Sequence, residues 1–248
     1  MTSEPEEPVL SAEPDRTEVL RLLGMHRRRG APGEVLRRLD ELWGEGVSSL
    51  RPRVWEVEVP IREVGRTGVT VGDGVFLRSR RLARALGEAV RARVFVVTVG
   101  HGPDRLIQRW TTQGRVADAF FLDAFASAAV ESLVERYYRS TAELAAGQGL
   151  GVTLRFSPGY CDWPVQDQRS LFSLFRDEDL GVSLTESCFM TPRKSVSGVF
   201  GLAPAQPGRV GPPPAYNPCA DCGKHDCTAR RAATATPDPP APLEGAGP

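Results

Sequence analysis

The order of elements read from this sequence predicts an α+β fold, a sheet with helices grouped on one side, rather than a doubly wound one. The first of three observations leads there, and the other two shape the domain. Strand-like and helix-like segments are mixed without a strict βαβ alternation. One helical pattern, 116–146, is far longer than the others. Beyond Leu202 the chain turns abruptly to Pro, Gly and Ala, with Pro212-Pro213-Pro214 and later Pro237, Pro239 and Pro240, a composition that packs no core. One domain is therefore expected over 17–202, between a disordered acidic segment, 1–16, and a Pro/Gly/Ala-rich tail, 203–248.

Taken in order, Val19, Leu20, Leu22 and Leu23, then Val35, Leu36, Leu39, Leu42 and Trp43 after Pro32, have the spacing of two short helices. The basic run Arg27-Arg28-Arg29 between them reads as a solvated turn. Trp55, Val57 and Val59 alternate with Glu56 and Glu58, so 54–59 is a half-exposed strand that Pro60 should stop. Gly72-Asp73-Gly74 inside the run from Gly68 to Leu77 signals a hairpin. Ser79 is placed to cap a helix through Leu82, Ala85, Leu86 and Val90, and 94–99 is a buried strand. A helix from Pro103 to about Gln113 follows. The long helix, 116–146, has Phe120, Phe121, Ala124, Ala128, Leu133, Val134 and Tyr137 for its apolar side, and Gly147 and Gly149 to end it. A strand over 150–156, a short helix over 166–175, a strand start at 182–184 and a last strand at 195–202 complete the domain. Val99-Gly100-His101-Gly102 lacks the third glycine of a dinucleotide-binding turn and reads as a plain turn.

Composition removes several function classes. Thirty-one Lys and Arg balance thirty-one Asp and Glu, so there is no global basic field of the kind that sequence-independent nucleic-acid binding requires. Glu4-Pro5-Glu6-Glu7-Pro8 has neither the basic nor the apolar region of a secretory signal, and no window approaches 18 apolar residues, so no membrane partner and a cytoplasmic location are expected. Five cysteines, three of them crowded into the tail, are no disulfide framework.

The segment Arg155-Phe156-Ser157-Pro158-Gly159-Tyr160 has the makings of a ligand cradle. Arg155 at a strand end can grip a carboxylate bidentately, Pro158 stiffens the turn and Gly159 lets a ligand approach the backbone. Tyr160 offers a hydroxyl and a π face to a cation. The same residues also fit a simple strand-to-helix turn with Arg155 paired to a neighbouring acid. Asp123, Ser127 and Glu131, at i, i+4 and i+8, share one stripe of the long helix.

These pieces together resemble the activation domain of cobalamin-dependent methionine synthase. Arg155, Pro158, Gly159 and Tyr160 are followed, in that family's order, by Leu184-Thr185-Glu186-Ser187, Met190, Pro192 and Ser195-Val196-Ser197-Gly198. The resemblance covers about residues 50–202 and is closest over 123–198. It implies a bent, mainly antiparallel sheet with helices and an S-adenosylmethionine site made by Arg155, the Ser157 backbone, Gly159, Tyr160 and Glu131. Glu131 would accept the amino group or balance the sulfonium. It further implies a stand-alone reactivation component of methionine biosynthesis, serving a 5-methyltetrahydrofolate-homocysteine methyltransferase or a related corrinoid protein and not an enzyme alone. The cobalamin (vitamin B12) would be carried by that partner, an electron donor would act beside it, and cob(II)alamin would be reductively methylated. Two departures stand out: Gly159-Tyr160-Cys161-Asp162-Trp163-Pro164 replaces the family's usual Pro-Ala-Cys-Pro continuation, and Phe200-Gly201-Leu202-Ala203-Pro204 lacks the family's later tyrosine.

Cys219, Cys222 and Cys227, with His225 as a possible fourth ligand, have spacing that suits one zinc ion or an iron-sulfur cluster. Cys161 and Cys188 read as small buried hydrophobes, with Cys161 the candidate to face the ligand loop. Two other function classes fit these residues: a free-standing S-adenosylmethionine-dependent methyltransferase of small molecules, and a metal or iron-sulfur electron-transfer adaptor.

Overall fold

The computed structural model describes residues 10–25, 31–176 and 179–205. Two helices, α1 (Arg16–Leu22) and α2 (Gly33–Ser49), precede the strands β1 (Arg53–Val64), β2 (Val69–Val71) and β3 (Val75–Leu77). Helix α3 (Arg80–Ala85), strand β4 (Arg91–Thr98) and helices α4 (Gly102–Thr112) and α5 (Val116–Gly147) follow. The remainder is β5 (Leu150–Val152), α6 (Gln168–Phe172) between two 3₁₀ turns, the pair β6 (Ser183–Leu184) and β7 (Met190–Thr191), and β8 (Ser195–Pro204). The order in the main sheet is β3-β2-β1-β4-β8-β5, and every pairing is antiparallel. The Arg27-Arg28-Arg29 run and the whole tail from 206 lie outside the described residues.

Alternation along β4 gives the sheet two buried faces. Phe95 and Val97 face α1, α2, α4 and α5, and this core is centred on the buried α5 residues Leu133, Val134 and Tyr137. Val94 and Val96 face the β2–β3 hairpin, α3 and α6, where Leu82, Leu86, Trp163 and Leu171 pack. Helices α1, α2, α4 and α5 thus group on one face, and the short α3 and α6 cover the other. Packing begins ahead of the expected Thr17 start, because Ala12 is buried in the first core and Leu10 lies against it.

Three element expectations are corrected. Pro60 does not stop β1, which runs on to Val64; the proline falls where β1 exchanges β4 for β2, beside a bulge between Ile61 and Glu63, and its carbonyl accepts from Gly72 N (2.9 Å). Phe120 is 58% exposed, because consecutive residues on a helix point about 100° apart and Phe121 takes the place among Leu39, Leu42, Trp43 and Phe125. The strand expected over 150–156 ends at Val152, for a reason that bears on the site.

Candidate functional site

Thr153 ends β5 by substituting its side chain for its backbone. Its N–H donates to Gly201 O (2.9 Å) and its hydroxyl accepts from Gly201 N (2.8 Å), so its carbonyl is free to accept the Tyr138 hydroxyl from α5 (2.6 Å). Burial pushes that phenol above its ordinary range, which keeps it a donor. Three residues on, Phe156 rejoins the sheet through a single bridge to Val199, with hydrogen bonds of 2.9 and 2.8 Å. Arg155 lies between these anchors, and its guanidinium reaches α5, with Nη2 3.5 Å from Glu131 and 3.9 Å from Glu135.

A tight turn follows. Tyr160 N donates to Ser157 O (3.3 Å), Gly159 N to Trp163 O (2.9 Å) and Trp163 N to Tyr160 O (3.0 Å). Gly159 has φ +89°, a conformation that favours glycine, and a Cβ there would meet nothing nearer than Val165 at 3.7 Å. Gly159 and Tyr160 are exposed, the latter at 67%, whereas Trp163 is buried. The structure therefore brings Arg155 and Glu131 together, and sets Gly159 and Tyr160 on the exposed crest of the same loop, with the half-buried Ser157 at its base. Glu135 was not singled out, although it continues the 123, 127, 131 spacing by one more turn.

The upper part of that helix stripe has a different partner. Lys194, whose side chain is 9% exposed, donates from Nζ to Asp123 Oδ1 and Ser127 Oγ, both at 2.8 Å. Sequence reasoning gave no signal for Lys194.

The downstream motifs act as supports. The Ser195 hydroxyl donates to Pro192 O (2.7 Å) and lies 2.8 Å from Thr98 Oγ1, and Ser197 donates to the buried Gln168 Oε1 (3.1 Å). Gly198 faces Phe156 itself: a Cβ there would lie 2.6 Å from the Phe156 carbonyl oxygen. In the Leu184-Thr185-Glu186-Ser187 turn, Arg169 from α6 donates to Glu186 O (2.7 Å). Cys188 is buried as expected, but Cys161 is exposed on the turn. Cys219, Cys222, His225 and Cys227 lie outside the described residues; among the described residues, no group of three or more His, Cys, Asp or Glu is arranged to hold a metal ion. No helix among them is long and apolar enough to cross a membrane.

The fold that carries this site has a counterpart among solved structures. The chain superimposes on a crystal structure of the MetH reactivation domain bound to AdoHcy with a TM-score of 0.59 and 16% identity, covering 80% of this chain and 77% of that one. At that identity the likeness defines the fold. No curated protein sequence matches. Residues 84–207, half of the chain, match the family described as the vitamin B12 dependent methionine synthase activation domain, and the chain belongs to that family. The matched stretch contains Glu131, Arg155, Ser157, Gly159 and Tyr160.

Proposed function

We propose that this protein binds S-adenosylmethionine and presents its methyl group to the cobalamin-binding module of a methionine synthase or related corrinoid methyltransferase. The observation that carries the reading is the position of Arg155, held between the carboxylates of Glu131 and Glu135 beside the exposed Gly159–Tyr160 crest. An α-amino acid group needs one cationic and one anionic partner side by side. Arg155 would take the carboxylate, and Glu131, with Glu135 behind it, the ammonium. The Gly159 backbone, with no Cβ to fend off a ligand, and the aromatic face of Tyr160 would meet the rest, where a sulfonium cation gains from a π system.

The bound molecule supplies a sulfonium methyl to reduced corrinoid cobalt, with the electron coming from a separate donor. The residues named here bind and orient; none has to move a proton, since methyl transfer needs placement and exclusion of water. In the crystal structure it resembles, the reactivation domain is bound to AdoHcy, the demethylated form of this ligand. A cytoplasmic setting fits this role, and a metal on Cys219, Cys222, His225 and Cys227 would belong to the tail rather than to this site.

Calorimetric titration of S-adenosylmethionine into the whole chain tests the reading. Saturable binding that weakens about tenfold to a hundredfold in Arg155→Ala is expected, since a hydrogen-bonded charge contributes about 1.5–3 kcal/mol. Binding unaffected by the substitution would move the ligand elsewhere.

A further inference from the structure

The turn that carries Tyr160 is fastened through Asp162 at a point 81–83 residues away in sequence. Asp162 Oδ1 accepts from the Ser79 hydroxyl (2.6 Å), and its Oδ2 accepts from Arg80 N (2.8 Å) and Arg81 N (3.4 Å). Asp167 repeats the device one step along: its Oδ2 accepts from Arg78 N (2.8 Å) and from the indole N–H of the buried Trp163 (3.1 Å). Two carboxylates thus tie the loop after Tyr160 to the backbone that opens α3. Ser79 is itself the N-cap of that helix, accepting from Leu82 N (3.0 Å), so one hydroxyl caps α3 and bonds the loop at once.

Within the turn itself the crest is held by short-range bonds, from Gly159 N to Trp163 O, from Tyr160 N to Ser157 O and from Trp163 N to Tyr160 O. The positive φ of the non-glycine Cys161 (55°) adds backbone strain that an external anchor helps to hold. Asp162 falls between Cys161 and Trp163, in the segment where the chain departs from its family's usual continuation.

We propose that Asp162 is a positioning residue: by bonding the opening of α3, it holds Gly159 and Tyr160 in the conformation that receives the ligand. This rests on the S-adenosylmethionine reading above. A loop already fixed pays less ordering entropy when the ligand arrives, so the latch acts on affinity without touching the ligand. Burial alone would raise the Asp162 carboxyl, but the Ser79 hydroxyl and the Arg80 and Arg81 amides outweigh it and hold it below the usual range, so the latch is charged at neutral pH.

The test pairs calorimetry with amide hydrogen exchange on the unliganded full chain. Asp162→Asn is expected to weaken S-adenosylmethionine about tenfold, in line with the loss of charge-assisted hydrogen bonds, and Ser79→Ala to weaken it less. Ser79→Ala keeps the carboxylate and its two amide bonds, so it remains informative if Asp162→Asn fails to fold. Exchange should quicken at Gly159 and Trp163 while β4 and β8 keep their protection. A general loss of stability would not produce a third result: in a Tyr160→Ala background, Asp162→Asn should weaken binding little further. Full additivity in that cycle, or unchanged exchange at Gly159 and Trp163, overturns the proposal. If the wild-type chain binds no S-adenosylmethionine, the functional reading fails by itself. Exchange then decides the latch, supported by faster exchange in Asp162→Asn and overturned by none.

Discussion

Gly198 and Phe156 are in a backbone contact that leaves no room for a side chain. A Cβ on Gly198 would lie 2.6 Å from the Phe156 carbonyl oxygen and 2.7 Å from the Phe95 ring. The bridge from Phe156 to Val199 fixes the direction in which Arg155 leaves the sheet, so the glycine supports the site from behind. Gly198→Ala should cost about 1–3 kcal/mol, the usual range for overpacking a filled core. It should also weaken the ligand as Phe156 moves. Urea unfolding and calorimetry report the two effects, and an unchanged midpoint would mean that the contact can relax freely.

Glu131 and Glu135 should not be equivalent. Glu131 is the nearer to Arg155, at 3.5 Å against 3.9 Å, and its side chain is 32% exposed against 47%. Charge interactions weaken with distance and with solvent. Glu131→Gln is therefore expected to reduce ligand affinity about tenfold and Glu135→Gln only about twofold to threefold. The reverse order would place the ligand's ammonium on Glu135.

The legibility of this site in the sequence follows the range of the interactions. Ser79 as the cap of α3, the Gly72-Asp73-Gly74 hairpin and the stripe of α5 are local patterns, and the structure has all three. Arg155 and Glu131 were legible only through a family resemblance, since nothing in spacing alone joins residues 24 apart. Lys194, Asp162 and Asp167 were not legible, because their partners Asp123, Ser79 and Arg78 lie 71, 83 and 89 residues away and no period relates them. Serines 195 and 197 carried a motif without a role; their bonds to Pro192, Thr98 and Gln168 make them supports of the loop.

The Lys194–Asp123 pair should respond asymmetrically to truncation. The lysine side chain is 9% exposed and the aspartate 39%, so only the aspartate can turn to water when its partner is lost. Asp123 also keeps Arg193 at 3.7 Å, whereas Lys194 would keep, among the described residues, Ser127 alone. Asp123→Ala should thus cost about 1–3 kcal/mol, the penalty for leaving a buried polar group under-satisfied, and Lys194→Met less, because its stem still fills the space. Equal losses in urea unfolding would show that Lys194 reaches solvent after all.

Asp118 gives the fold an acid limit. Its side chain is 9% exposed and accepts from Arg38 of α2 (2.8 Å from Nε and 2.5 Å from Nη2) and from Arg115 Nε (2.8 Å), so it ties α2 to the start of α5. The Arg38 bonds, helped by Arg115 and opposed by burial, hold its carboxyl below the ordinary aspartate value. A carboxyl whose value is lower in the folded chain binds fewer protons there than in the unfolded one. Its contribution is complete above the unfolded value, near pH 4, and fades as pH falls through the folded value. Asp118→Asn should therefore lower the urea midpoint at pH 7 and also flatten its decline between about pH 5 and pH 2. Wild-type and variant curves that run parallel over that interval would mean that other carboxylates set the acid limit.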